Sequence, residues 1–435
     1  MFKASKVTTN KHQNKVFHIT SEQLPYNSIM HWPPMTYRNN SAPTQKAMAA
    51  FTGYLEKENE LKGPKELQPW IPFCDGKCSF CYFPVNCEKQ VYDSYIKSLK
   101  KALTAYSETK YIKTSEFTEL YIGGGSPSVL TEEQITDVIG FCNTHFNLSD
   151  KAITKFTACT NNLSTKKVHT LARENVAQLD IGVQSFNEQF RKTLMLRDSS
   201  ENALMKLKEI KKNGLGLSID LLYNIPGQTL EQWENDLKQA LELEVESVDC
   251  YPLDLYADTP LARKIASGQL PMAGDYKKEL AMYQIAYEFF KKNGYFPTCH
   301  NRFSRVKIDL EPPAAEVVGT GAGFFMGHIG TFNYSDVEDV KEYIQTVENQ
   351  QFPISRISEL TIEDEMRKEM MMIYVRIPVK REQFKAKYGK FPEEAFPKAL
   401  EELRNKGLIV EENDEVRLSE KGDPWRFNIA WEFFK

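Results

Sequence analysis

Apolar and polar positions alternate along this chain in two different rhythms. "FTELYIGGG" (117–125), "VAQLDIGVQSF" (176–186), "LSIDLLYNIPGQT" (217–229) and "VESVDCYPLDLYADTPL" (245–261) each open on a short apolar run and end in a loop. Between them lie stretches with helical period: "TEEQITDVIGFCNTHF" (131–146), "ENALMKLKEIKKNG" (201–214) and "LEQWENDLKQALEL" (230–243). Thr131 with Gln134 three positions later predicts a capped helix start, and Gly214 predicts a helix stop. Strand-like runs followed by amphipathic helices predict βα units on a parallel sheet, hence an α/β fold with a partial or full (β/α) barrel. In such folds the loops at the C-terminal strand ends carry the site.

The rhythm changes at both ends. Residues 1–66 are polar and mixed, with "HWPPMTYRNNSAPTQ" as an irregular stretch, and read as an N-terminal extension that serves as a lid. Residues 67–355 form the predicted core. From residue 356 to 435 "EEAFPKALEELRNKGLIVEENDEVRLSEKG" reads helix, glycine turn, hairpin, the outline of a small winged-helix-like module. The closing "DPWRFNIAWEFFK" predicts an aromatic helix that docks on a neighbour.

Composition narrows the class. With 435 residues, 41% apolar and 26% charged, the chain can bury a substantial core. A formal net charge of -4 gives no reason to expect nucleic acid or an anionic membrane as partner. No apolar run reaches about 18 residues, and the polar N-terminus has no apolar signal core. A cytoplasmic protein is expected, in which disulfides are disfavoured and clustered cysteines point to metal or catalysis.

Such a cluster exists. "IPFCDGKCSFCYFPVNC" holds Cys74, Cys78, Cys81 and Cys87, half of the chain's eight cysteines. Incidental core cysteines fit badly, because "DGK" between the first two is a turn. Zinc would want four ligands in paired short spacings, and Cys87 keeps that count open. An iron–sulfur cube is the third reading, since three thiolates leave one iron open for an external ligand.

C-x3-C-x2-C with Phe80 before the last cysteine resembles the signature of radical S-adenosylmethionine (SAM) enzymes. "LYIGGGSPSVLTEEQ", "LDIGVQSFNEQFRK", "IDLLYNIPGQTLEQWENDL" and "GTGAG" follow in the order of the oxygen-independent coproporphyrinogen III oxidase-like branch. The resemblance covers residue 67 to the end. It implies a [4Fe–4S] cluster on Cys74, Cys78 and Cys81, with Cys87 a bystander. It implies SAM on the open iron, cleaved by one electron to a 5′-deoxyadenosyl radical, with the electron drawn from a donor such as flavodoxin or ferredoxin. Carried over position by position, SAM contacts fall on Gly124, Gly125, Ser126, Gln184, Arg197 and Asp220, and Tyr82 stacks near the adenine. For Gln184 and Asp220 spacing alone favours ordinary polar strand ends, and for Gly123–Gly125 a tight turn.

Three features depart from the branch. Gln68 and Trp70 stand where "YIHIPFC" has tyrosine and histidine, Cys159 falls near the position at which the family has a SAM-binding glutamate and no carboxylate takes its place, and the long N-terminal stretch precedes the first motif. "VDCYPLDLYADTPLARKIASGQLP" resembles haem-utilisation members more than the oxidase, and the glycine loop "GTGAGFFMG" also sits closer to theirs. The resulting expectation is methyl transfer of the two-SAM kind, often called class C, on a tetrapyrrole or other conjugated small-molecule substrate. Tyr251, Asp254 and His300 are the expected catalytic residues. The alternatives are oxidase-like decarboxylation, methylation or cyclopropanation of a natural product, and, outside enzymes, a haem-binding chaperone.

Overall fold

The computed structural model describes residues 24–34, 42–305, 316–349 and 352–435. Six parallel strands form its centre: β1 (Lys65–Ile71), β2 (Phe117–Gly124), β3 (Leu148–Ala158), β4 (Val176–Gln184), β5 (Gly216–Tyr223) and β6 (Ser247–Pro252), paired in chain order. On one side the sheet continues through short antiparallel strands β8 (Arg302–Ser304) and β7 (Phe296–Pro297). On the other, β9 (Glu316–Thr320) runs parallel to β1 and leads to an antiparallel meander of β10 (Met326–Ile329), β11 (Phe332–Asp336) and β12 (Ile354–Glu359). The order ends at β7 and β12 without a closing pair among the described residues, so the barrel is partial.

The helix after β2 spans Glu132–His145 and starts with the reciprocal Thr131–Gln134 box that its sequence predicts. The helix Ser200–Lys212 is followed by Gly214 at φ 76°, a left-handed stop that a side chain would oppose. Apolar faces of these helices pack on the sheet in one continuous core. The helix Gln45–Leu55 belongs to that core, with Phe51 fully buried against Phe332, Tyr334 and Phe352. Polar side chains enclosed by the sheet pair across strands, as in Lys155–Glu119 at 3.0 Å, Arg302–Asp249 at 2.8 Å and Tyr121–Thr157 at 2.8 Å.

The C-terminal residues form a second core on a three-stranded sheet of β13 (Val379–Lys380), β15 (Glu415–Leu418) and β14 (Ile409–Glu412). Helix Pro397–Asn405, the turn at Gly407 and the β14–β15 hairpin reproduce the winged-helix-like outline. This module is joined to the barrel by a buried hub. Asp423 accepts from Arg376 Nε at 2.6 Å and from Tyr283, while Arg426 donates to the carbonyl of His300 at 2.8 Å and to Asn301.

A strap, residues 24–34, crosses from this module to the barrel. Leu24, Tyr26 and Ile29 pack on the C-terminal core. Asn428 holds the strap twice, through Met30 N at 3.0 Å and Ser28 O at 2.9 Å, and Trp431 Nε1 donates to the carbonyl of Trp32 at 2.9 Å.

Candidate functional site

The cysteine loop leaves β1 and lies beside the end of β2. Its register is fixed by backbone bonds from Cys74 N to Asn86 O (3.0 Å), from Gly125 N to Ile71 O (2.8 Å) and from Ser126 N to Phe73 O (2.6 Å). Glycine is required at the contact. A Cβ on Gly125 would stand 2.6 Å from the carbonyl of Phe73 and 3.0 Å from Cys74 Sγ, and Gly124, at φ 126°, has the carbonyl of Ile71 2.2 Å from where its Cβ would be. The glycine loop, with Gly124, Gly125 and Ser126, and the cysteine loop therefore form one surface.

Cys74, Cys78 and Cys81 are half-buried, whereas Cys87 is exposed. Burial, then the neighbouring thiols, pushes Cys74 well up; the same causes push Cys78 up to about 12, with Arg197 opposing. Cys81 is also raised, by burial. Thiols crowded in this way become thiolates when a cation neutralises them. Among the described residues no three His, Cys, Asp or Glu side chains converge on a single metal ion. Three thiols on one short loop are the donor chemistry that an iron–sulfur cluster takes.

Arg197 meets the cysteine loop directly, since its guanidinium fills the space a Cβ on Gly76 would need. Gln184 ends β4 in the left-handed region at φ 66°, a strained setting for a side chain with a β-carbon. Its neighbours hold it there. Arg191 Nη1 donates to the carbonyls of Val183 (2.9 Å) and Ser185 (3.0 Å), and buried Asp236 accepts from Ser185 Oγ and Phe186 N, each at 2.8 Å. Asp220 lies on β5 between Gly182 and Asp249 of the flanking strands, and it is among the charges that act on Tyr251.

Beyond β6, Asp254 sits at the mouth. It accepts from Trp32 Nε1 at 3.0 Å and lies 3.5 Å from His31 Nδ1, whose Nε2 contacts Glu279 at 2.8 Å. Tyr82 stacks on Tyr256 with ring centres 4.1 Å apart. His300 stands apart from this group; its ring packs edge-on against Tyr374 of the C-terminal module.

Several site residues escaped the sequence reading. Cys159 carries only the sequence signal of a replaced glutamate, yet its thiol bonds to Ser126 and, after burial, it does most to raise the Cys74 and Cys78 thiols. His31 and Trp32 lie in a stretch without periodicity, which carried no signal. Tyr256 and Phe324 lie within quoted loops, and their side chains gain meaning only from what they face.

The cysteine loop and the glycine loop thus meet beyond the C-terminal ends of β1 and β2. The radical SAM superfamily profile matches residues 69–240 and the HemN C-terminal domain profile residues 360–425. The chain therefore carries a radical SAM domain followed by a HemN C-terminal domain, consistent with the HemN-like branch of radical SAM proteins, a family that binds a [4Fe–4S] cluster and SAM. It is 27% identical to the haem chaperone HemW of Bacillus subtilis over 364 residues, covering 81% of this chain and 94% of that protein. It is 24% identical to the anaerobilin synthase of Escherichia coli O157:H7 over 231 residues, about half of each chain (52% and 52%). Coproporphyrinogen III oxidase (HemN) of Escherichia coli superimposes with a TM-score of 0.81 over 94% of this chain and 96% of that one, at 20% identity, which speaks for the fold. No helix among the described residues is long and apolar enough to cross a membrane.

The methyl-transfer expectation finds less support than the chaperone alternative. The HemW relatives of Bacillus subtilis and Lactococcus lactis cover 81% and 86% of this chain and 94% and 98% of their own length. The glycines of "GTGAG" are also explained by packing: a Cβ on Gly319 would lie 2.0 Å from the carbonyl of Gln68, and one on Gly321 would lie 2.5 Å from the carbonyl of Trp70. Close approach to β1 accounts for them without a second SAM.

Proposed function

We propose that this protein is a haem-handling member of the HemN/HemW type, which binds a tetrapyrrole, haem first of all, and passes it on. The observation that carries the reading is the HemW match across 94% of that relative's length and 81% of this chain. When bound, the cluster and SAM together supply one-electron cleavage of a sulfonium. The chain's own residues supply the setting. Cys74, Cys78 and Cys81 would hold the cluster, and three thiolates would leave it a position open to SAM. Gly124, Gly125 and Ser126 bring backbone close to the ligand, while Gln184, Arg197 and Asp220 line the same rim. Tyr251 and Asp254 face the tetrapyrrole side, and flavodoxin or ferredoxin is the electron donor.

The test is anaerobic titration of the reconstituted protein with haem, read in the Soret band, followed by product analysis with SAM and a reductant. Stoichiometric haem binding with no S-adenosylhomocysteine is expected. Failure to bind haem would overturn the reading. S-Adenosylhomocysteine together with 5′-deoxyadenosine and a methylated tetrapyrrole would replace it with two-SAM methyl transfer.

A further inference from the structure

Four separate stretches bring aromatic rings to the mouth of the site. Trp32 comes from the strap, Tyr82 and Phe83 from the cysteine loop, Tyr256 from the loop after β6, and Phe324 from the glycine loop. Tyr82 is the hub. It stacks on Tyr256 at 4.1 Å and presents edges to Phe83 (4.9 Å), Phe324 (6.0 Å) and Trp32 (6.5 Å). Phe83 and Phe324 lie nearly parallel, 10° apart at 5.3 Å. Phe324 keeps 42% of its surface in solvent and Trp32 keeps 39%, so the rim is an open aromatic face and not part of the core.

Trp32 is not a loose surface residue. Its indole N–H is spent on Asp254 and its carbonyl on Trp431, and the preceding His31 is set between Asp254 and Glu279. Holding a large apolar ring in water by that many bonds has a cost, which a ligand on the ring would offset. The charges beside it are already engaged with one another, which leaves the rings as the recognition chemistry. Tyr82 directly follows Cys81, so anything resting on the rim lies against the loop that carries the metal ligands.

We infer that this rim, Trp32 and Phe324 foremost, is the platform on which the flat conjugated ring of a tetrapyrrole lies, and that the N-terminal strap is thereby part of the binding site. The inference rests on the tetrapyrrole reading above and adds where the ring sits and what grips it. Flat π-systems favour offset or edge-on contact with such rings. Recognition by ring faces does not need a central metal, so haem and metal-free protoporphyrin IX both bind.

The experiment uses the full-length reconstituted protein with Trp32→Ala and Phe324→Ala. Each is titrated anaerobically with haem and with metal-free protoporphyrin IX. Both side chains are exposed, and iron and sulfide content report that each variant is intact. The expected result is that each variant weakens both ligands about tenfold or more, with iron and sulfide unchanged. Wild-type affinity retained in both variants would overturn the platform and leave the tetrapyrrole reading standing. So would binding of haem but not of the metal-free ring, because metal ligation would then hold the ligand. A wild-type protein that binds neither ring overturns both.

Discussion

His31 joins the strap to the barrel by charge, and its protonation sets how firmly the strap is held. Burial opposes charging the imidazole, but hydrogen bonds to Asp254 and Glu279 outweigh it and raise its pKa from 6.5 to about 9. Tyr223, Tyr283 and Arg426 line the same small space, and Tyr256 bonds to Asp254. At about 1.4 kcal/mol per pKa unit, the shift sets a ceiling of about 3 kcal/mol. Asp254 is one-third exposed, and solvent screening brings the usable part to about 1–2 kcal/mol. Because the folded pKa is raised, this stabilisation is fully present below pH 6.5 and is lost as pH rises through 9. The readout is hydrogen exchange across residues 28–34, where Met30 N–H is bonded to Asn428, measured against a core helix to remove the intrinsic pH dependence. Local opening should increase about 5- to 30-fold between pH 6.5 and pH 9.5. In His31→Gln the strap should be open to the same degree at both pH values. Equal protection at both pH values in the wild type, or a wild-type profile in His31→Gln, would refute the argument.

Two further outcomes follow from contacts already described. Gly125→Ala drives a Cβ into the carbonyl of Phe73 and against Cys74 Sγ; iron content after reconstitution should fall well below wild type, while Gly140→Ala, with open space at its helical site, should raise stability by about 0.5–1 kcal/mol. Asp423→Ala removes a buried carboxylate and leaves the half-buried Arg376 without its partner; a loss of about 3–5 kcal/mol is expected in denaturant unfolding, where a change under 1 kcal/mol would count against the hub.

Much of this molecule was readable in its residues. Capping boxes, glycine stops and apolar runs are local signals, and β2, β4, β5, β6 and the helices between them form where those signals stand. β3 was harder to read, because "LSDKAITKFTA" keeps polar residues at buried positions such as Lys155, which pairs with Glu119 of the neighbouring β2. The β9–β12 meander was missed as well. Its strands are only four to six residues long, too short for period-2 alternation to stand out, and β9 gains its meaning only by pairing with β1, some 250 residues earlier. The cysteine loop was legible because its chemistry is compact in sequence. The strap was not, because His31 and Trp32 are defined by partners more than 200 residues away.

Cys159 tests how the fourth and fifth thiols of the region divide their roles. It stands at the end of β3, and its backbone N–H donates to Ser128 Oγ at 3.0 Å while its thiol bonds to Ser126. Both partners belong to the glycine loop after β2, so Cys159 is anchored to that loop while its thiol lies within electrostatic reach of Cys74 and Cys78. Cys87 is on the cysteine loop but exposed, six residues past Cys81. If Cys74, Cys78 and Cys81 are the ligands, Cys87→Ala and Cys159→Ala should both retain full iron and sulfide, whereas Cys78→Ala should lose nearly all. The two neutral variants should then separate on SAM. Cys159→Ala removes a group beside Ser126 and should alter the change that SAM causes in the electron paramagnetic resonance spectrum of the reduced cluster; Cys87→Ala should leave that change as in the wild type. Loss of iron in Cys159→Ala would make it a ligand, and the open corner assigned to SAM would have to be given up.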